Sequence, residues 1–480
     1  MGLFEPGINC WRVERATRAA VIVDACDYYR VIRGAMLEAR QRILIIGWDF
    51  DPRIKLDRTE EGNERETLGS FLLNLAKAKP DLDIRILKWD FGALKTLFRG
   101  SAMWWVARLA LRKNIKFKLD GVHPAGCSHH QKIVVIDDSF AICGGIDMTG
   151  DRWDRPAHAD RDPDRVRPNG KRYGPWHDAT MAVEGDVARA LGDLARERWK
   201  RATAESMPPV KGGGRPWPDG LKPDFRDVDL AIARTIPCYR NRKEIREIEA
   251  LFLAMIGRAK RFIYAESQYF ASPRIATAIR ERLMADDKFE FVLMNPVRAD
   301  GWLEQVAMDA TRVRLGQVIG HSDPAGRFRI YTPVTKGGDD IYVHAKVLIV
   351  DDELLKIGSA NMNNRSLGLD SECDLALDAT GTKAARTIAA LRTRLMAEHL
   401  GVSEGEVEKV FRRTKSLVRT IEALKGKGKT VRLLRFKKPR GAAKYIADAE
   451  LLDPESPDMG VEALTRRTLL PRLGLAADRA

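Results

Sequence analysis

Residues Ser128–Ser139 read SHHQKIVVIDDS, and residues Val343–Asp352 read VHAKVLIVDD. Both place a histidine and a lysine two residues apart, ahead of four aliphatic residues and an aspartate: His130-x-Lys132-x4-Asp137 and His344-x-Lys346-x4-Asp351. In extended chain, residues i and i+2 face the same way, so each pair projects an imidazole and an ammonium into one space. The runs IVVI and VLIV suit a central strand buried on both faces, with the polar pair at its entrance. Each run leads into small residues, Gly144-Gly-Ile-Asp147 and Gly358-Ser-Ala-Asn361, where backbone can approach a ligand closely.

Around each copy the order of signals repeats. Strand patterns at 42–50, 83–89 and 117–119 precede the first, and strand patterns at 261–270, 289–294 and 327–331 precede the second. Helical periodicity covers 186–199 and 250–257. Strands alternating with helices predict an α/β protein of two similar mixed-sheet domains covered by helices, related by a pseudo-twofold axis, with the active site at their interface. Residues 208–223 hold five prolines and four glycines in sixteen positions, too many breakers for a helix or central strand. The expected division is therefore an N-terminal repeat over 1–207, a linker over 208–225, a C-terminal repeat over 226–400 and a basic extension over 401–480.

At 480 residues, with 44% hydrophobic and 31% charged residues, the chain has ample material for folded cores and is not a disordered sequence. No apolar run approaches the ~18 residues of a membrane span, and the N-terminus lacks the apolar segment of a signal peptide, so a cytoplasmic, peripherally membrane-bound protein is expected. The six cysteines are scattered, without a C-x-x-C pair, and suggest neither a disulfide framework nor a zinc site. A net charge of +15 favours an anionic partner. From Lys409 to Lys444 there are fourteen Lys or Arg and one acid, Glu422. This stretch reads either as a solvated basic face or as a docking strip for anionic headgroups, and nucleic acid would use the same charges.

Lysine beside histidine argues against a metal at the repeated motif and suits a phosphate. Histidine can attack phosphorus or carry a proton near neutral pH. Two of each make one complete phosphoryl-transfer site, with one imidazole as nucleophile, the other as acid and base, and the lysines on the developing negative charge. That division predicts a bell-shaped pH profile, one imidazole neutral and one protonated in the free enzyme. His129 should face away from this pair, and His123, His158, His321 and His399 read as surface or structural.

The motif pair resembles the phospholipase D superfamily, whose hallmark is a duplicated H-x-K-x4-D-x6-G-[GS]; His130, Lys132, Asp137, Gly144 and Gly145 fit one copy, His344, Lys346, Asp351, Gly358 and Ser359 the other. The flanking text GGIDMTGDRWD, GPWHD, IYAESQYF and GSANMNNRSLGLDSE looks like phosphatidylcholine-type members, over roughly residues 15 to 400, with a weaker echo at 444–453. By this resemblance His130 attacks the phosphodiester and His344 protonates the leaving group. Lys132, Lys346 and Asn361 hold phosphoryl oxygens, with Asp147, Ser359 and Gly145 also facing substrate. Asp178 and Glu372 orient the imidazoles, while Asp137 and Asp351 are structural ties. Asp147 stands where many members have Asn.

No cofactor and no metal is implied. Trp48, Trp153, Trp176, Tyr269 and Phe270 either line a lipid cleft or pack the core. The implied function is a phospholipase D acting on phospholipid at a membrane surface, with water or an alcohol as acceptor; the oligomeric state is left open, a monomer being compatible, and nucleic acid is disfavoured as a partner. A cardiolipin synthase-like phosphatidyltransferase and a nucleic-acid phosphodiesterase are the alternatives.

Overall fold

The computed structural model describes residues 2–58, 66–90, 101–212, 214, 217–297 and 302–434. The basic residues beyond 434 and the echo at 444–453 lie outside them. The first half contributes β1 (Arg12–Val23), β2 (Arg42–Gly47), β3 (Asp83–Trp89), β4 (Ile115–Asp120), β5 (Ile133–Ile136), β6 (Phe140–Gly144), β7 (Trp176–His177) and β8 (Ala179–Gly185). The second contributes β9 (Phe225–Ile236), β10 (Ile245–Arg246), β11 (Phe262–Glu266), β12 (Glu290–Met294), β13 (Phe328–Val334), β14 (Tyr342–Val343), β15 (Val347–Val350), β16 (Leu354–Gly358), β17 (Glu372–Asp378) and β18 (Thr430–Leu433).

The order across the main sheet is β18-β13-β12-β11-β15-β16-β17-β9-β1-β8-β6-β5-β2-β3-β4, with β10 beside β9. Leaving out β18, it reads the same from β9 outward as from β1 outward. Each wing pairs its first three ordinary strands in parallel and adds antiparallel hairpins toward the seam. The repeat is thus a single mixed sheet whose two wings meet where β1 runs antiparallel to β9.

The period-2 pattern of β2 explains the layering. Ile43 and Ile45 join the core beneath helices 25–38 and 68–78, with Ile32, Met36 and Leu72. Leu44 and Ile46 face the opposite core, under helix 186–203, with Leu191, Leu194 and Trp199. Helices 247–258 and 384–400 cover the two faces of the second wing in the same manner. Residues 404–434 do not stand apart as an extension: helices 404–414 and 417–424 bury Val407, Leu417 and Ile421 in the core, and β18 pairs antiparallel with β13.

Asp137 and Asp351 tie each hairpin down. The Asp137 carboxylate accepts from the backbone N–H of Arg40, Gln41 and Arg42 at 2.7 to 2.8 Å. Asp351 accepts likewise from Lys260, Arg261 and Phe262 at 2.6 to 2.9 Å. Both aspartates adopt left-handed backbone, with φ 51° and 56°, a region Asp tolerates better than most residues.

Candidate active site

His130 and His344 do not lie on strands β5 and β15 but in the extended segments leading into them. These segments cross the seam. His129 bridges in parallel to Ser371, and β14 pairs in parallel with β7. In consequence the His130 N–H donates to the Ser371 carbonyl (2.9 Å) and the His344 N–H to the His177 carbonyl (2.8 Å). The next residue on each opposing strand is an acid. His130 Nδ1 lies 3.0 Å from both oxygens of Glu372, and His344 Nδ1 lies 2.6 Å from Asp178 Oδ2. Each imidazole is therefore held by a carboxylate from the other half. With Nδ1–H donated, Nε2 carries the lone pair.

Lys132 Nζ donates to the His130 carbonyl (2.9 Å) and lies 3.3 Å from Asp147 Oδ2. Lys346 Nζ donates to the His344 carbonyl and, at 3.4 Å, to Gln268 Oε1. Asp147 Oδ1 accepts from the backbone of Trp48 (3.0 Å) and Asp49 (3.4 Å). Asn361 Oδ1 accepts from the Gln268 N–H at 3.2 Å. These are equivalent turns, but Asn361 keeps an amide donor where Asp147 has a carboxylate oxygen turned to a lysine.

Two residues expected to face substrate stand elsewhere. Gly145 packs against Asp178, where an added Cβ would lie 2.1 Å from Oδ1, and the Ser359 hydroxyl donates to Glu372 Oε2. Both back the carboxylates, because the small-residue turn runs beside β8 and β17 rather than across the opening. Among the aromatics, Trp153 and Phe270 are core. Trp48 stacks on Trp89, and the Tyr269 hydroxyl accepts from Gln268. Trp176 stacks on Tyr342 (4.5 Å) and lies 5.1 Å from the His344 ring.

Burial, Lys132 and Lys346 hold His130 well below the usual imidazole range. Burial, Lys346 and Arg152 do the same to His344. Without substrate both shifts favour the neutral ring, where the division of roles expects one neutral and one protonated imidazole; burial is the largest cause and the two lysines add to it. Burial also pushes Glu372 up to about 8 and raises Asp178, while burial draws Lys346 down to about 7 against the pull of Asp178.

Sequence reasoning missed Arg152, whose guanidinium lies 4.3 Å over the Trp176 ring, and Gln268, which links Lys346, Asn361 and the Tyr342 hydroxyl. Both stand in flanking runs already quoted, Arg152 in GGIDMTGDRWD and Gln268 in IYAESQYF, but no local spacing singled either out. His129 faces away, to Asp120 (3.1 Å) and Ser371 (2.9 Å). His321 is exposed, and His123 binds Asp90 at 2.9 Å. His158 and His399 are fully buried with His177 in a cluster of carboxylates that could hold a metal ion. Among the described residues, no helix is long and apolar enough to cross a membrane.

A family model described as Phospholipase D matches residues 35–211 and 333–428. Phospholipase D A of Dictyostelium discoideum is 26% identical over 454 residues, covering 79% of this chain and 35% of that protein. Phospholipase D alpha 4 of Arabidopsis thaliana is 22% identical over 494 residues, covering 78% and 63%. The chain thus spans less than two thirds of either relative's length. The crystal structure of phosphatidylserine synthase from Haemophilus influenzae Rd KW20 superposes with a TM-score of 0.56 at 11% identity, covering 86% of this chain and 97% of that one; the likeness is one of fold.

Proposed function

The chain belongs to the phospholipase D family, and from that premise we propose that it is a phospholipase D, cleaving glycerophospholipid phosphodiesters to phosphatidic acid and a free headgroup alcohol. The observation that carries the reading is the crossed pairing, His130 with Glu372 and His344 with Asp178, which builds one site from two halves.

In the first step Nε2 of His130 forms a bond to phosphorus while the bond to the headgroup oxygen breaks. Glu372, beside Nδ1–H, stabilises the positive charge that grows on the ring, and that growing charge in turn favours the ionised carboxylate against the burial that raises it. The departing oxygen takes a proton from His344. Burial and the neighbouring cations disfavour charge on that ring in the free enzyme, but a phosphodiester monoanion between Lys132 and Lys346 offsets their charge and favours its protonation. In the second step water, or an alcohol, attacks the phosphohistidine; its proton passes to His344 and the N–P bond breaks. Lys132, Lys346 and the Asn361 amide hold the phosphoryl oxygens, and Arg152 adds a third cation near His344.

The test is incubation of the protein with mixed phosphatidylcholine and phosphatidylethanolamine vesicles and a trace of primary alcohol, with products identified by mass. Phosphatidic acid together with phosphatidyl-alcohol is expected, and both should vanish in His130→Ala and His344→Ala. Cleavage of DNA or a simple bis-phosphodiester with no lipid product would replace the lipid reading with that of a nucleic-acid phosphodiesterase.

A further inference from the structure

Directly behind His344, a second group of histidines and carboxylates is enclosed in the protein. Asp24 follows β1 with a positive φ of 64°. His158 comes from the loop before β7, His177 from β7 itself, and Glu398 from helix 384–400. The ligand atoms of these four residues lie within 4.8 Å of one another. His158 Nε2 is 3.1 Å from Glu398 Oε1 and 3.5 Å from Asp24 Oδ2. His177 Nδ1 is 2.8 Å from the same Glu398 oxygen and 3.2 Å from Asp24 Oδ1. A tetrahedral ion with bonds of ~2.0–2.2 Å sets neighbouring donors about 3.3 Å apart; the separations of 3.1, 3.2 and 3.5 Å lie near that edge, and the 2.8 Å one must open by about 0.5 Å to admit an ion.

Two further observations point to a cation. Each imidazole offers its other nitrogen to a separate carboxylate: His158 Nδ1 to Asp154 at 2.9 Å, and His177 Nε2 to Glu266 at 2.9 Å. That is the outer arrangement that orients metal-bound histidines. Asp24, meanwhile, is 0% exposed, and its Oδ2 has no hydrogen-bond partner, a costly state for a carboxylate oxygen unless a cation satisfies it.

Charge leads to the same place. Asp24, Asp154, Glu266 and Glu398 bring four negative charges. Arg165, on Asp154 at 3.2 Å, and Lys429, at the rim, offset two. One divalent ion or two imidazolium protons would balance the remainder. A groove lined by Pro156, Ala157, Glu398 and Lys429 gives an ion a route inward.

We propose that Asp24, His158, His177 and Glu398 bind one divalent transition-metal cation. Two imidazole nitrogens and two carboxylate oxygens favour zinc over the oxygen-seeking magnesium and calcium. All four positions are taken by protein, so the ion positions rather than reacts. The Asp24 N–H donates to the Asp178 carbonyl (2.8 Å), the Asp178 N–H to Asp24 Oδ1 (3.3 Å), and His177 supplies the carbonyl that holds His344. The ion would thereby fix the carboxylate that orients His344. The inference stands on these residues alone and does not depend on the substrate.

The experiment is metal analysis of the purified full chain by plasma mass spectrometry after exhaustive dialysis. It is joined by zinc titration of chelator-treated protein and by X-ray absorption at the zinc edge. The proposal expects about one zinc per chain in a nitrogen and oxygen shell with two imidazoles. Content should fall at least about tenfold in Glu398→Gln and Asp24→Asn and stay intact in His130→Ala, which alters only the reaction site. Circular dichroism checks folding of each variant. Should a variant fail to fold, stoichiometry and the absorption shell of the unaltered chain decide alone. Wild-type protein with less than about a tenth of an equivalent and no zinc uptake would overturn the site in favour of the two imidazolium protons. Metal retained equally by both folded variants, or a sulfur-containing shell, would also overturn it.

Discussion

The Asp147 carboxylate lies 3.3 Å from the Lys132 ammonium, while Asn361, at the equivalent turn, gives Lys346 no carboxylate. The two lysines therefore meet substrate from different starting points, one already paired and one not paired with that turn. Asp147→Asn should keep the backbone contact to Trp48 and remove the ion pair, leaving a buried ammonium less compensated. Stability should fall by about 3 kcal/mol, and inorganic phosphate should restore more of the unfolding midpoint in the variant than in the unaltered protein. Equal phosphate shifts in both would show that Asp147 does not compete with the phosphoryl group.

Gly145 and Ser359 should differ in how harshly they respond to alanine. At Gly145 the new Cβ must displace Asp178, and a misplacement of about 1 Å in such a group costs roughly 10²-fold in rate. Ser359→Ala removes one donor to Glu372 and the acceptor for the Cys373 N–H (3.0 Å), a loss of about tenfold. Steady-state kcat for both variants checks the order, and a larger loss at Ser359 would contradict it.

Asp137→Ala and Asp351→Ala should act on stability and leave chemistry alone. Each strands three backbone N–H donors that the carboxylate now satisfies. At about 1 kcal/mol for each partly buried donor left to water, the loss should be about 3 kcal/mol by denaturant titration. Turnover per folded molecule should remain within about threefold, since neither aspartate touches an imidazole.

The pH profile should rise and fall for reasons other than two opposed imidazoles. In the proposed mechanism His130 must be neutral to attack, and it is held below its ordinary range, so the acid limb of kcat/KM should lie below pH 6.5. In the same mechanism Lys346 must be protonated to hold phosphate, and it is drawn down to about 7, so activity should decline above that pH. Lys346→Arg, always charged, should move the alkaline limb upward even if its rate is lower. An alkaline limb unchanged by that substitution would assign it to another group.

The wings were legible in the sequence and the seam was not. β3 coincides end to end with the pattern at 83–89, because every other side chain there enters one core. The strand read over 42–50 stops at Gly47, since the backbone of Trp48 and Asp49 turns away to meet Asp147. β1 and β9 escaped notice because their first halves, RVERATR and FRDVD, lie half exposed and carry charges that an isolated pattern assigns to loops. The His/Lys spacing located both halves of the reaction site. Asp178 and Glu372, 166 and 242 residues from the imidazoles they touch, came only through resemblance, as no local spacing encodes a contact across the seam. For the same reason His158 and His399 looked unremarkable: Asp24 and Glu398 are far from His158 in the chain, and Glu266 is far from His399.

The antiparallel ladder between β1 and β9 joins seven residue pairs, and β17 continues it with six more on the other side of β9. Spreading the halves like jaws would tear that ladder, so the molecule has no low-cost hinge at the place where its two half-sites meet. A substrate must come to a frame that is already closed. Entry is then a matter of side chains and connecting loops moving aside, and the spacing between the two imidazoles is a mechanical property of the sheet itself.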